Sequence, residues 1–241
     1  MTEFKKFSNI LFGAYKRHTR QQEVLAKKTE IFNTIFEIHN FAPKRILFLG
    51  FSAMALACKL TTIYVADISD DAVDYIKSQG KEVVIVELED KKYTKFFDCV
   101  VAMDENFTFA ANEGQQRARV ELCAALTTGL IITTLRDYKN QEYKDREFSQ
   151  PAAIRNGAGV TAYLEYHNID FRDRAAWRTT VFEMGEELQK HGPYARRAMF
   201  FKQLAKYTKD AGAADFMVHK NLMYKSLIKK NYEHVISIKF E

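Results

Sequence analysis

The chain has 241 residues, of which 47% are hydrophobic and 28% are charged, a composition typical of globular proteins. Collagen-like, disordered and low-complexity chains are excluded. No apolar run approaches the roughly 20 residues that span a bilayer. Residues 1–18 also lack an apolar stretch that leads to a signal-peptide cleavage site. We therefore expect a cytoplasmic protein that does not interact with membranes.

Charge is segregated along the chain, whose formal net charge is +5. Residues 1–45 carry a net charge of +5, residues 46–190 carry −6, and residues 191–241 carry +6. Basic ends around an acidic middle could bind an anionic partner, or they could simply attract the middle and aid solubility.

No metal site is predicted. Cys58, Cys99 and Cys123 lie among apolar residues without CxxC spacing, so we expect buried, reduced thiols. His219 and His234 have no ligand partners at metal-binding spacing.

The first 43 residues are predicted to be helical. Apolar residues recur at roughly helical intervals and predict one or two helices that end near Asn40, before Pro43. These apolar residues are Val24, Leu25, Ile31, Ile35, Phe36 and Ile38.

From Lys44 onward, short apolar runs alternate with helix-like stretches. Strands are predicted at residues 46–49, 63–66, 82–86, 99–103 and 130–135, and helices at residues 53–60, 70–79 and 113–127. Runs such as VVIV and LIITT do not alternate with polar residues, so they need cover on both faces. A parallel, doubly wound sheet supplies that cover.

The remaining chain is predicted to leave this pattern and then return to it. Residues 136–159 have weak periodicity and are predicted to form a long loop, and residues 160–167 and 177–184 form an added hairpin. A helix at 195–210, a strand at 215–219, a basic loop at 220–232 and a strand at 234–240 follow.

This order of elements resembles that of the class I S-adenosylmethionine-dependent methyltransferases, whose sheet has five parallel strands, a sixth, and an antiparallel seventh. The resemblance covers residues 44–241. It implies an α/β fold, with a Rossmann-like, doubly wound seven-stranded sheet that carries an inserted β-hairpin within residues 136–193. Residues 1–43 would form an N-terminal helical segment. It also implies S-adenosyl-L-methionine as the cofactor.

The family's glycine-rich turn corresponds here to ILFLGFSAMALA. Gly50 matches the first glycine, whereas Phe48 replaces the usual acidic residue, and Ser52 and Met54 replace the later glycines. A small residue lets the backbone approach a cofactor closely. The resemblance therefore implies cofactor contacts at Gly50, Ser52 and Ala53.

Acidic residues follow the second and third strands. Asp67, with Ile68 beside it, matches the family's acid that accepts hydrogen bonds from both ribose hydroxyls, although it could merely begin a turn. Glu87, or less favourably Glu89, falls where the family recognises the adenine amino group. The alternative for ELED is a solvated acidic turn.

Catalytic candidates follow the fourth and fifth strands. Asp104 matches the position that faces the methionine part of the cofactor and the reacting methyl group, and Glu105 could be a loop charge. Asp137 and Lys139 could assist in removing a proton, and Arg136 could orient an anionic substrate. The alternative is a polar loop.

The basic closing loop supplies further substrate-binding candidates. If the sixth strand is parallel to the first five, Lys220, Tyr224, Lys225 and Lys229 lie on the cofactor side. Basic residues interleaved with aromatic residues suit phosphates and stacked bases. The alternative is a solvated surface loop above packed tyrosines.

These residues and the resemblance predict an S-adenosylmethionine-dependent methyltransferase that acts on an anionic acceptor, which could be nucleic acid. One alternative, favoured by the degenerate glycine motif, is a catalytically inactive protein of the same fold that binds nucleic acid or a protein partner. Another is an enzyme that uses this cofactor for different chemistry. The insertion is long for a plain connection, so we expect it to shape acceptor choice or to join subunits of a homo-oligomer.

Overall fold

The computed structural model describes residues 3–136, 146–148, 152–156, 159–169, 173, 175–228 and 232–241. Within these ranges the helices are α1 (Glu3–Arg17), α2 (Gln21–Ile38), α3 (Ala53–Ala57), α4 (Asp70–Ser78), α5 (Glu113–Leu126) and α6 (Phe201–Asp210). The strands are β1 (Ile46–Leu49), β2 (Thr62–Ala66), β3 (Glu82–Ile85), β4 (Phe97–Ala102), β5 (Thr127–Leu135), β6 (Arg146–Phe148), β7 (Ala152–Asn156), β8 (Gly159–Ile169), β9 (Ala176–Met184), β10 (Leu188–Arg197), β11 (Ala213–Lys225) and β12 (Tyr232–Phe240).

Seven strands form the main sheet in the order β11-β12-β5-β4-β1-β2-β3. Strands β1 to β5 pair in parallel, and β12 pairs antiparallel with both β5 and β11. The central strand β1 is buried along its whole length, as its unalternated sequence ILFL requires. The predicted seven-stranded sheet is therefore confirmed. Its parallel strands all direct their carboxyl ends to one edge, called the carboxyl edge below.

A second, antiparallel sheet is inserted after β5 and contains β10, β9, β8 and β6 in that order, with β7 also paired to β8. The predicted hairpin is confirmed as β8 and β9. The loop predicted at 136–159 is wrong over β6 and β7, because both segments pair with β8. Their backbone hydrogen bonds come from a partner strand rather than from a local sequence pattern.

Three predicted boundaries are wrong. The helix expected at 195–210 begins at Phe201, because residues 194–197 pair with β9 as the end of β10. The basic loop expected at 220–232 is shorter, since β11 extends to Lys225 and β12 begins at Tyr232. Helix α3, which was expected to extend to residue 60, ends at Ala57. Beyond its end, the Lys81 ammonium group donates hydrogen bonds to the carbonyl oxygens of residues 58 and 60 at 2.6 and 2.8 Å.

Two helices precede the sheet. Helix α2 confirms the predicted helix that ends near Asn40, and α1 is a further helix whose apolar face is buried in the main core. That face carries Phe4, Phe7, Leu11 and Tyr15, spaced three or four residues apart. Among the residues that the structure describes, no helix is both long and apolar enough to cross a lipid bilayer.

The three cysteines are free thiols, as predicted, but they differ in burial. Cys99 and Cys123 are buried, whereas Cys58 is half-buried. Burial raises the pKa of Cys123 to about 12, so this thiol stays protonated at neutral pH.

Candidate functional site at the carboxyl edge

Three turns at the carboxyl edge contain residues in the left-handed backbone region. Gly50 after β1 has φ +77°, Asp67 after β2 has φ +54°, and Asp104 after β4 has φ +57°. A residue other than glycine pays roughly 1–2 kcal/mol for this conformation. Such strain is concentrated at functional sites, so the pattern marks this edge as the candidate site.

Helix α1 lies directly against the Gly50 turn. A Cβ atom at residue 50 would lie 2.5 Å from the Phe4 ring and 3.0 Å from the Ser8 hydroxyl oxygen. That hydroxyl oxygen also accepts a hydrogen bond from the Phe51 backbone N–H. Gly50 is therefore needed for the packing of α1, and α1 occupies the space next to the turn.

The other predicted residues of this turn, Ser52 and Ala53, are buried, as is Ile68 after β2. The Ser52 hydroxyl caps α3 by accepting a hydrogen bond from the Met54 N–H at 3.2 Å. Ala53 and Ile68 are 4% and 3% exposed. Phe51 packs against Phe12 and Tyr15 of α1, so this helix covers the turn with aromatic rings.

Asp67 is held by an ion pair. Its carboxylate lies 3.1 Å from the Arg119 guanidinium group, which also donates to the Asn106 side chain at 2.6 Å. The same guanidinium group lies 5.3 Å from the Phe4 ring centroid. Glu87 lies in an exposed turn after β3, where its carbonyl oxygen accepts from the Asp90 N–H.

Asp104 is 3% exposed and has two different carboxylate oxygens. Oδ2 accepts a hydrogen bond from the Tyr224 hydroxyl at 2.7 Å, and Oδ1 is buried without a hydrogen-bond partner among the described residues. Burial, together with the charges of Asp104 and Glu233, holds the pKa of Tyr224 well above its usual value. Tyr224 is therefore a stable donor to Asp104.

Lys28 of α2 is a buried cation beside this pair. Its Nζ lies 3.3 Å from the Tyr224 ring centroid and donates to the Lys225 carbonyl oxygen at 2.8 Å. Burial lowers the pKa of Lys28 to about 8, while the charges of Asp104 and Glu233 oppose that shift. A lysine with this pKa changes its charge near physiological pH.

Lys28 was not among the predicted site residues, although the sequence contains a signal for it. It lies between Val24 and Ile31 at helical spacing, so it interrupts the apolar stripe of α2 with a cation. A lysine is almost never buried without a partner. This position therefore indicates buried polar groups opposite the helix.

Arg136, predicted to orient a substrate, lies instead in a buried ion cluster. Its guanidinium group is 3.2 Å from Glu105 and 3.5 Å from Glu165 of β8. Arg196 of β10 is 3.1 Å from the same Glu105 carboxylate. The cluster joins the inserted sheet to the end of β4. Asp137 and Lys139, the other candidates from this segment, lie outside the described residues.

The structure separates the candidates of the closing segment. Lys220 and Lys225 are exposed on β11, whereas Tyr224 between them is 3% exposed and turns towards Asp104. Its ring is therefore not presented for stacking at the surface. Lys229 lies outside the described residues.

Known structures share this architecture, although no protein-family model and no curated protein matches the sequence. An S-adenosylmethionine-dependent methyltransferase from Clostridium acetobutylicum is 13% identical with a TM-score of 0.64, covering 89% of this chain and 91% of that chain. CalS10 of Micromonospora echinaspora, an amino pentose methyltransferase, is 10% identical with a TM-score of 0.64, covering 90% and 91%. Magnesium protoporphyrin IX methyltransferase from Synechocystis is 10% identical with a TM-score of 0.53, covering 98% and 96%.

The fold is that of the class I methyltransferases. Its seven-stranded sheet, with β12 antiparallel between β5 and β11, is the arrangement that the sequence resemblance implied. In an open α/β sheet, ligands bind outside the carboxyl ends of the strands, which is where Gly50, Asp67 and Asp104 lie.

The polar groups at this edge fit S-adenosylmethionine, and α1 packs against the same edge. A carboxylate at Asp67 can accept two ribose hydroxyls, and the unpartnered Oδ1 of Asp104 can accept a further donor. However, Phe4 and Ser8 occupy the approach to the Gly50 turn, and Arg119 pairs with Asp67. Helix α1 therefore packs on the turn that a cofactor would contact.

Proposed function

We propose that this protein is an S-adenosylmethionine-dependent methyltransferase that acts on an anionic acceptor. The observation that carries the proposal is the placement of Asp67 and Asp104 at the carboxyl edge of a class I methyltransferase sheet. Structural neighbours described as methyltransferases support it, some of them determined with S-adenosylmethionine or S-adenosylhomocysteine bound.

When bound, the cofactor supplies an electrophilic methyl group on a sulfonium sulfur, so the protein needs mainly to position the acceptor and accept a proton. The Gly50 backbone and the Asp67 carboxylate would hold the adenosine part. Asp104 would lie nearest the reacting end, where its Oδ1 would orient a donor while its Oδ2 is fixed by Tyr224. Lys28, with a pKa of about 8, can take up a proton in its neutral form.

The proposed anionic character of the acceptor is supported by basic side chains on β11, the strand whose Tyr224 contacts Asp104. Lys220 and Lys225 are exposed on β11, and the last 51 residues carry a net charge of +6. Nucleic acid is one such acceptor. The burial of Tyr224 removes an aromatic side chain that would have stacked on bases, which favours a smaller acceptor.

A second candidate function is binding without catalysis, and the packing of α1 favours it. Phe4, Ser8 and Arg119 together occupy the groups that would meet a cofactor. Phe48 and Met54 also stand where the family has an acid and a glycine. In this candidate, α1 is a permanent part of the core and the basic surface binds a partner.

Calorimetric titration with S-adenosylmethionine and S-adenosylhomocysteine distinguishes the two candidates. We expect saturable binding to the wild type and loss of that binding in Asp67→Ala, because this carboxylate accepts both ribose hydroxyls. Asp74→Ala is the matched control, since Asp74 is an exposed acid on α4 and should bind like the wild type. No binding at millimolar ligand, or equal binding in Asp67→Ala, would refute the cofactor site and favour the non-catalytic candidate.

A further inference from the structure

The inserted sheet has an inner face that is buried against the rest of the protein. Tyr163 and Val181 on this face are fully buried, and Arg17 of α1 donates a hydrogen bond to the Tyr163 hydroxyl at 2.8 Å. Successive side chains of a strand point to opposite faces, so the residues that alternate with these two lie on the outer face.

The outer face is apolar where the inner face is fastened to the protein. Val160 and Leu188 are 54% and 68% exposed. The other apolar side chains here are half-buried and lie outside the hydrophobic core that the described residues form. We call this set of apolar residues the outer patch: Val160, Ala162, Leu164, Phe182, Met184 and Leu188. Exposed apolar residues that adjoin one another mark an interaction surface.

The strand register makes the outer patch continuous. Met184 of β9 pairs with Ala162 of β8 and with Leu188 of β10, so these three residues form one row across the sheet. Leu164 and Phe182 pair in the next row. Directly paired residues lie on the same face with Cβ atoms about 5 Å apart, so the side chains of each row are in reach of one another.

Charges of opposite sign flank the Met184 row. Glu186 lies two residues after Met184, in the exposed turn on one side of the row. Lys190 lies two residues after Leu188, on the other side, where it is exposed and paired with Phe182. A two-fold axis along this row would pack two copies with antiparallel strands and place Glu186 of each copy over Lys190 of the other. The face is therefore complementary to itself in charge as well as in apolar character.

The area of the outer face suits a reversible dimer. The sheet is four strands wide, because β6 and β7 pair with opposite ends of β8, and β9 is nine residues long. With strands about 4.8 Å apart and a rise of about 3.3 Å per residue, the face measures about 20 Å by 30 Å. Two such faces bury about 1,200 Å² in total, which is at the lower end of the range for specific interfaces. We therefore expect dissociation at micromolar concentrations rather than an obligate dimer.

We propose that the outer patch is the interface of a homodimer in which the inserted sheets of two copies of this chain pack face to face. The strands of the two sheets run antiparallel, and the apolar rows are enclosed between two Glu186 to Lys190 ion pairs. This interface does not depend on the proposed methyltransferase activity.

The oligomeric state of the full chain, measured by sedimentation equilibrium over a range of concentrations, tests the proposal. We expect the wild type to form a dimer reversibly. Leu188→Asp should raise the dissociation constant by at least about a hundredfold, because each copy would bury a charge without a partner in the interface. The residue is mostly exposed in the single chain, so the variant should fold. Val160→Lys is a second variant with the same expected effect, should Leu188→Asp fail to fold.

Ile85→Asp is the matched control, because Ile85 is 54% exposed and lies on β3, at the edge of the main sheet. It should form dimers like the wild type. The proposal is overturned if the wild type is monomeric at every concentration, or if Ile85→Asp weakens the dimer as much as Leu188→Asp. A monomeric wild type whose Leu188→Asp variant unfolds at a lower temperature would also overturn it, since another part of the same chain would then cover the outer patch.

Reversal of charge tests the antiparallel arrangement itself. Lys190→Glu should weaken the dimer by about fivefold, because it would lie opposite Glu186 of the other copy. Adding Glu186→Lys in the same chain restores opposite charges and should restore the affinity. If the double variant is as weak as Lys190→Glu alone, the antiparallel packing is refuted.

Discussion

Asp104 and Glu105 are adjacent in the chain, share a positive φ, and are 3% and 1% exposed, yet their surroundings differ. The Glu105 carboxylate lies 3.2 Å from Arg136 and 3.1 Å from Arg196. The Asp104 carboxylate has a neutral phenol as its donor and one oxygen that no described residue contacts by a hydrogen bond. Burial alone therefore does not distinguish a structural acid from a candidate functional one.

The difference lies in what each acid connects. The arginines around Glu105 come from the end of β5 and from β10, so its ion pairs fasten the inserted sheet to the main one. Asp104 instead faces Tyr224 and, beyond it, the buried Lys28. Buried charges that are fully paired stabilise one arrangement, whereas incompletely paired groups remain available to a ligand.

The largest expected effect is at Glu105. Arg196→Met keeps most of the buried volume but removes one of the cations beside a fully buried carboxylate. We expect the free energy of unfolding to fall by about 3–5 kcal/mol, as measured by urea denaturation. The control is Arg117→Ala, whose exposed ion pair with Glu121 should contribute less than about 1 kcal/mol. Equal losses in the two variants would show that the cluster does not fasten the sheets.

The second prediction concerns Lys28, whose pKa is lowered from 10.5 to about 8. Between these two values the unfolded chain binds more protons at this side chain than the folded protein does, so the free energy of unfolding rises with pH. Relative to Lys28→Met, the wild type should gain about 2 kcal/mol between about pH 7.5 and about pH 9.5.

The comparison between variants is needed because other groups titrate in the opposite direction. Burial raises the pKa values of Cys58, Cys99 and Cys123, so their contribution to stability falls as the unfolded thiols ionise. These thiols are present in both proteins and cancel in the difference. Parallel pH profiles for the wild type and Lys28→Met would mean that Lys28 is not a buried titrating group.

Much of the fold was predictable from sequence, because the strands of the main sheet are continuous apolar runs separated by capped helices. The positions of Asp67 and Asp104 followed from the same runs, since Asp67 comes directly after β2 and Asp104 comes two residues after the end of β4. Local sequence specifies these features, and their physical cause lies within a few residues.

The partners of Asp104 and Glu105 were not predictable, because these partners come from distant segments of the chain. Arg196 reaches Glu105 across 91 residues, and it does so from the last residues of β10, which were expected to begin a helix. Tyr224 reaches Asp104 across 120 residues. The packing of α1 on Gly50 likewise depends on tertiary structure, although the glycine itself was identified.

The smallest predicted effect concerns α1 and tests whether the carboxyl edge, where Asp104 lies, opens to a cofactor. In Ser8→Ala the Phe51 N–H loses its acceptor, so α1 should be held on the Gly50 turn less tightly by about 1 kcal/mol. If binding requires α1 to leave, affinity for S-adenosylhomocysteine should rise by about fivefold in calorimetry, because less work is spent on displacement. Ser78→Ala, at an exposed helix end, is the control and should bind like the wild type. An unchanged or weaker affinity in Ser8→Ala would mean that α1 stays in place when the ligand binds.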